Sequence, residues 1–208
     1  MLYTLSRFLI RLFFKVCIGF KVKGAEHVPE QGGFILAPNH ASYMDPPVVG
    51  SACPRKVYFM AKSDLFDVPL LGRWMSGVGV ISLNLDSPGR SSLKKAVEYL
   101  KNGNCVCIFP EGMRVPPGVV KGAEQGVGYL VKMAGVPVVP AAILGTQPCF
   151  RKIFGFITWF SPLEVRFGEP ISFDFDGGKI SAAEKHKILQ DVGDKILARI
   201  NELKSGGS

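Results

Sequence analysis

His40 lies five residues before Asp45 in the segment PNHASYMDPP. An imidazole that takes a proton needs a second group to fix its tautomer and to steady the imidazolium that forms. Asp45, at a helix entry just before Pro46, offers a carboxylate for that purpose if the loop folds back on itself. A second constellation is FPEGMR, residues 109–114, directly after the apolar run CVCIF. Pro110 and Gly112 force an irregular turn there, so Glu111 and Arg114 are presented at a strand end. The planar guanidinium of Arg114 suits a phosphate, and Gly112 allows close backbone approach to a ligand. Downstream, Lys121-Gly122 is expected to open a helix whose N-terminal end favours anions. Proton transfer at His40 beside recognition of an anion is the chemistry these types imply.

Other chemistries lack their residues. The chain has no GxSxG elbow, no Walker A loop and no HExxH. GVG at 77–79 and 126–128 is not followed by the third glycine of a dinucleotide fingerprint. The five cysteines are odd in number and form no CxxC, and no histidine stands at zinc-finger spacing, so no ligand cluster argues for a metal. Cys105 and Cys107, two apart in an apolar run, are expected to share one strand face as reduced core residues. His27 falls in a turn-like stretch and His186 in a charged helical one.

The elements that must position these groups alternate. Gly33–Ala37, Val57–Ala61, Gly79–Leu83, Cys105–Phe109, Val136–Ile143 and Leu163–Phe167 read as strands. Asp45–Ala52, Leu70–Gly77, Ser91–Asn102, Ala123–Ala134 and Ala182–Leu203 read as helices. At 208 residues the length favours one domain. The pattern predicts a single-domain α/β sandwich, a mostly parallel or mixed sheet flanked by helices, with ligand groups at strand ends. Residues 21–204 would form it, and 205–208 a frayed tail. The stretch 150–160, FRKIFGFITWF, is either an aromatic core hairpin or a membrane contact.

Charge separates the first segment from the rest. The net charge is +8, and the first 23 residues hold Arg7, Arg11, Lys15, Lys21 and Lys23, whereas the first acid is Glu26. Arg7, Arg11 and Lys15 make one stripe on a helix that is otherwise Leu, Ile, Phe and Val. Charges inside the apolar run and no small-residue cleavage site argue against a signal peptide. Residues 1–20 are expected to be an amphipathic helix lying on an anionic membrane surface with its cations at the headgroups; a helix packed on the domain core is the alternative. The basic excess sits on an apolar helix rather than on a folded face, and no nucleic-acid-reading motif is present.

Taken in order along the chain, the two constellations resemble a family. NHASYMD resembles the NHxSxxD motif, and FPEGMR the FPEGTR motif, of glycerolipid acyltransferases of the 1-acylglycerol-3-phosphate (PlsC-like) type. VKGAEHVPEQGGFILAPNH resembles the lead-in to the first motif. FMAKSDLF resembles the AKxEL segment with Lys62 at the basic position, VKGAEQG the KxGA stretch, GVPVVPAAI the VPVxPV block and VRFGEPI the closing strand. The likeness runs from about residue 22 to 172. GVISLNL departs from it, with Asn84 and Leu85 where the family's GxIxVxR carries Arg, and Met113 stands for Thr or Ser. The resemblance implies that His40 and Asp45 are catalytic and that Glu111, Gly112, Arg114, Lys62 and Lys121 bind the acceptor. It implies acyl-CoA or acyl carrier protein as co-substrate, no metal and no cofactor. It also implies a lysophospholipid acceptor and a peripheral, monotopic seat on the cytoplasmic face of a membrane. Glycerol 3-phosphate or another lyso-lipid as acceptor, and a non-catalytic lipid-binding module, are the alternatives.

Overall fold

The computed structural model describes residues 1–83, 90–116, 119, 121–147, 162–175 and 181–206. Seven strands form one sheet: β1 (Phe20–Lys23), β2 (Phe34–Pro38), β3 (Val57–Lys62), β4 (Ile81–Leu83), β5 (Cys105–Cys107), β6 (Val138–Leu144) and β7 (Leu163–Phe167). Their order across the sheet is β1-β7-β6-β2-β5-β3-β4. The five strands from β6 to β4 run parallel, β7 is antiparallel to β6, and β1 is parallel to β7. The sheet is therefore mixed, as the alternation of elements predicted.

Alternation along β2 shows how the layers are built. Phe34 and Leu36 face one core with Cys105, Cys107, Val139 and Val165. Ile35 and Ala37 face the other with Val106 and Val138. The first core is closed by α1 (Leu2–Phe13), the turn after it and α2 (Asp45–Ala52). The second is closed by α4 (Arg90–Lys101), α5 (Gln125–Ala134) and α6 (Ala182–Ser205). A short α3 (Leu71–Val78) packs beside α1. With both faces covered, the central strands read as continuous apolar runs. Cys105 and Cys107 do share a face, and burial pushes both thiols up.

Several boundaries differ from expectation, most by one or two residues. The first helix ends at Phe13 and passes into a π-helical turn, Phe14–Ile18; Gly19 at φ 78° then turns the chain into β1. Phe14 and Ile18 are core residues, so this turn is anchored in the domain, while Lys15, Val16 and Cys17 between them stay exposed. The helix expected from Ala123 starts at Gln125. Helix α6 takes in Ser205 and closes on Gly206, so the tail expected at 205 begins later. The segment 150–160, Asn84, Leu85 and Cys149 lie outside the described residues. Among those described, no helix is long and apolar enough to cross a membrane.

Candidate active site

Parallel pairing puts the C-terminal ends of β6, β2, β5, β3 and β4 on one edge of the sheet, and the loop carrying His40 leaves that edge at the end of β2. Asn39 directly follows the strand. Its Nδ2 donates to Ile143 O at 3.1 Å and its Oδ1 accepts from Ile143 N at 2.7 Å. The loop then folds back on the start of α2, where Pro46 and Pro47 suit the first turn because the amides they lack would be unpaired there. Asp45 is fully buried. Its Oδ2 lies 2.9 Å from His40 Nδ1 and accepts the backbone N–H groups of Ala41 at 2.6 Å and Ser42 at 2.7 Å. The carboxylate thus ties the loop to itself and holds one ring nitrogen. Nδ1–H donating to Asp45 leaves Nε2 with the lone pair. The ring also stacks on Phe109, with centroids 4.0 Å apart. Phe109 was not assigned a role from sequence; its only signal was an aromatic directly before PEG.

The second loop leaves the neighbouring strand, β5, at the same edge. Glu111 is nearly buried, and its Oε2 accepts the backbone N–H of His40 at 2.5 Å. Burial raises its carboxyl above the ordinary value, an effect that the His40 N–H partly opposes. Val115 N donates in turn to His40 O at 2.8 Å. Glu111, expected to shape the turn and the acceptor site, clamps the histidine backbone through its carboxylate. Gly112 sits at φ 68°, and a Cβ there would meet Glu124 Cγ at 2.5 Å. Its N–H donates to Phe109 O at 3.0 Å, so that amide is spent inside the turn.

The three cations take different places. Lys121 does not open a helix: its Nζ donates to Glu111 O at 2.7 Å and to Glu124 Oε1 at 2.8 Å, so it braces the turn. Arg114 is exposed, and its Cζ lies 3.5 Å from the centroid of the Tyr43 ring, itself an exposed residue of the His40 loop. Lys62, the last residue of β3, is exposed on the same edge of the sheet. Two cations and one imidazole therefore stand at a common edge, with the histidine locked from both loops. Tyr43 lies inside the first motif, yet nothing in the motif alone indicated its ring as a platform for Arg114. Among the described residues no group of three or more His, Cys, Asp or Glu side chains is placed to hold a metal.

A buried carboxylate gripping one nitrogen of an imidazole, at a strand end beside two exposed cations, suits proton transfer next to an anion. Residues 19–144 match the family model described as Acyltransferase, and the chain belongs to that family of enzymes. It is 29% identical over 191 residues to a 1-acyl-sn-glycerol-3-phosphate acyltransferase of Bacillus subtilis (strain 168), covering 90% of this chain and 89% of the relative. A Borreliella burgdorferi protein of the same name is 27% identical, over 88% of this chain and 72% of its own length. The crystal structure of the 1-acyl-sn-glycerophosphate acyltransferase PlsC from Thermotoga maritima superposes with a TM-score of 0.70 at 27% identity, covering 97% of this chain and 79% of that one.

Proposed function

We propose that the chain transfers a fatty acyl group from an acyl thioester to the free hydroxyl of 1-acylglycerol 3-phosphate, giving phosphatidic acid in phospholipid synthesis. The donor is acyl-CoA or acyl carrier protein. The observation that carries the reading is the 2.9 Å contact of His40 Nδ1 with a fully buried Asp45. With Nδ1–H held there, Nε2 takes the proton of the acceptor hydroxyl as its oxygen attacks the thioester carbonyl. Asp45 steadies the imidazolium that results. Collapse of the tetrahedral species breaks the C–S bond, and the imidazolium returns its proton to the departing thiolate. A thioester is already activated, so no protein nucleophile is required and none is assigned. Arg114 holds the acceptor phosphate with help from Lys62, while Glu111, Gly112 and Lys121 keep the turn beneath it in shape.

The proposed location is supported by the N-terminal segment. In α1 and the turn after it, Tyr3, Ile10 and Phe14 face the domain, whereas Leu5, Phe8, Leu9, Leu12, Phe13 and Val16 are exposed. A folded domain gains nothing by presenting such a face to water, and a membrane surface covers it. Arg7, expected at the headgroups with Arg11 and Lys15, turns to the domain instead and donates to Pro54 O at 3.2 Å. Only Arg11 and Lys15 of that stripe are exposed. We place the enzyme as a monotopic protein on the cytoplasmic face, α1 down. A groove of about 320 Å³ between α1 and α2, lined by Leu9, Ile10, Phe13, Phe14, Met44 and Pro47, reaches from the exposed face to the residue next to Asp45.

The test is release of free thiol from acyl-CoA and from acyl carrier protein thioester, each with 1-acylglycerol 3-phosphate, glycerol 3-phosphate and other lyso-lipids. Thiol release that depends on 1-acylglycerol 3-phosphate supports the reading. Turnover with another acceptor alone reassigns the acceptor, and no turnover with any pair leaves a lipid-binding module.

A further inference from the structure

The turn that leads into α3 carries strain and exposed apolar surface together. Leu70 has φ 65° and ψ −47°, and Leu71 N donates back to Pro69 O at 2.8 Å. That is a three-residue γ-turn of the strained hand. Leu70 is the one described non-glycine residue with positive φ, and it is 79% exposed. A leucine here meets the steric penalty of that region and buries almost nothing in return. The turn is also pressed against its neighbour: a Cβ on Gly72 would come within 1.9 Å of Phe66 O. Strain kept at an exposed site by tight packing beneath it points to a role outside the fold.

The surroundings of the turn say what that role is. Val68, Leu71 and Trp74 are exposed with Leu70. Trp74 Nε1 donates to Ser6 Oγ of α1 at 3.2 Å, and Gly77 makes room for Leu2, where a Cβ would meet Cδ2 at 2.6 Å. The turn and α3 are therefore fastened to α1 and adjoin its exposed apolar face. Arg73 is exposed beside the tip, and Asp67 is exposed at its base. An indole held between an apolar tip and polar neighbours is at home at the boundary between lipid chains and headgroups.

We infer that the γ-turn tip Val68–Leu71, with Trp74, is a second element that enters the bilayer, beside α1. Leu70 projects into the acyl region, Trp74 lies at the headgroup level, and Arg73 meets lipid phosphates. Asp67 stays in water and confines insertion to the tip. The inference rests on the reading of α1 as the lipid-facing helix, and it adds a contact from a different part of the chain.

The test uses the full chain and vesicles of phosphatidylcholine and phosphatidylglycerol. Leu70→Asn removes the apolar side chain and supplies a residue that tolerates positive φ better. Its melting temperature should equal or exceed that of wild type, while vesicle affinity falls about tenfold, the loss expected for one leucine withdrawn from an apolar phase. Turnover of a short-chain, water-soluble acceptor should be unchanged. In a Trp159→Phe protein, Trp74 fluorescence should be quenched by vesicles whose acyl chains are brominated close to the headgroup. Unchanged affinity of Leu70→Asn, or unquenched Trp74, overturns the inference. A parallel Phe8→Asp/Leu12→Asp variant separates the two readings. If it loses binding while Leu70→Asn does not, only the second contact fails; if neither loses binding, the placement of α1 fails as well.

Discussion

The loop of residues 39–45 and the turn of residues 110–114 stand side by side at one sheet edge, and they are held in opposite ways. In the first, the polar groups face inward: Asn39 is bonded to β6, Asp45 takes two loop amides and the imidazole, and the His40 N–H is taken by Glu111. In the second, the interior of the turn is braced by Lys121 and Glu124, but Arg114 reaches outside it with an aromatic ring beneath. On the proposed function, the difference separates two tasks. A proton-transfer group must be fixed within a few tenths of an ångström before the substrate arrives. A cation that meets a headgroup can adjust, provided its approach is limited.

Removing the fixed group should cost most. His40→Ala is expected to lower kcat by about 100-fold or more, the usual range for a general base, with fold and vesicle binding intact. Retention of more than about a tenth of the wild-type rate contradicts the assignment. Asp45→Asn should leave only a small residual rate, because the bond that fixes the tautomer and the charge that steadies the imidazolium are both altered.

Arg114→Ala is the next test, on the adjustable side. Breaking a desolvated cation–phosphate contact costs about 2–5 kcal/mol, so kcat/KM for a phosphate-bearing acceptor should fall by roughly 30-fold or more. Arg114→Lys should recover part of that, since an ammonium makes no bidentate contact. Kinetics with donor and acceptor varied separately decide it: a rise in the acyl-CoA KM alone moves Arg114 to the donor's phosphates.

Smaller still is the effect of the ring beneath Arg114. Tyr43→Ala should raise the acceptor KM about two- to fivefold with kcat unchanged, the scale of an exposed cation–π contact. Tyr43→Phe should restore the wild-type value. In an Arg114→Ala background Tyr43→Ala should add nothing, and an equal effect in both backgrounds separates the two residues.

Glu111 provides the mildest probe, read by pH. Its carboxyl is raised above the ordinary value of 4.5, so the folded state binds that proton more tightly than the unfolded chain. Stability from this group is therefore lost as pH climbs from below 4.5 through the raised value. Glu111→Gln has no such loss and keeps an acceptor for the His40 N–H. Its melting temperature relative to wild type should be higher at pH 7 than at pH 4, and a difference that is flat with pH removes the burial argument.

What could be read from the sequence follows from how local each cause is. The start of α2 was legible because Asp45, Pro46 and Pro47 act within one turn of the chain. The pairing of His40 with Asp45 was legible for the same reason. The clamp by Glu111 was not, because its partner is 71 residues away and is a backbone amide, which no side-chain pattern marks. Arg7 and Arg11 lie on one helix, but Lys15 falls in the π-helical turn after it, and periodicity cannot say which edge of the helix abuts Pro54. Strand β1 was missed because four residues, alternately half-buried and exposed, follow an apolar helix without a break except Gly19. Lys121 illustrates the converse: a lysine before a helical stretch looked like an anion site, and its ammonium is instead taken up by a carbonyl and a carboxylate of its own loop.

Asn39 has a consequence for what the first letter of such a motif means. Its amide offers one donor and one acceptor at the spacing of a peptide group, and both are matched to Ile143 on β6. A side chain thus impersonates the next rung of the ladder after the main chain has already turned away. The height at which the histidine stands above the sheet is measured from a neighbouring strand, about a hundred residues later in the chain, rather than from the strand that delivers it. Aspartate would offer no donor to the Ile143 carbonyl, and glutamine would reach one methylene too far. The residue before the histidine is a gauge block: both ends of its amide are spent on β6, and they set the level at which the imidazole stands.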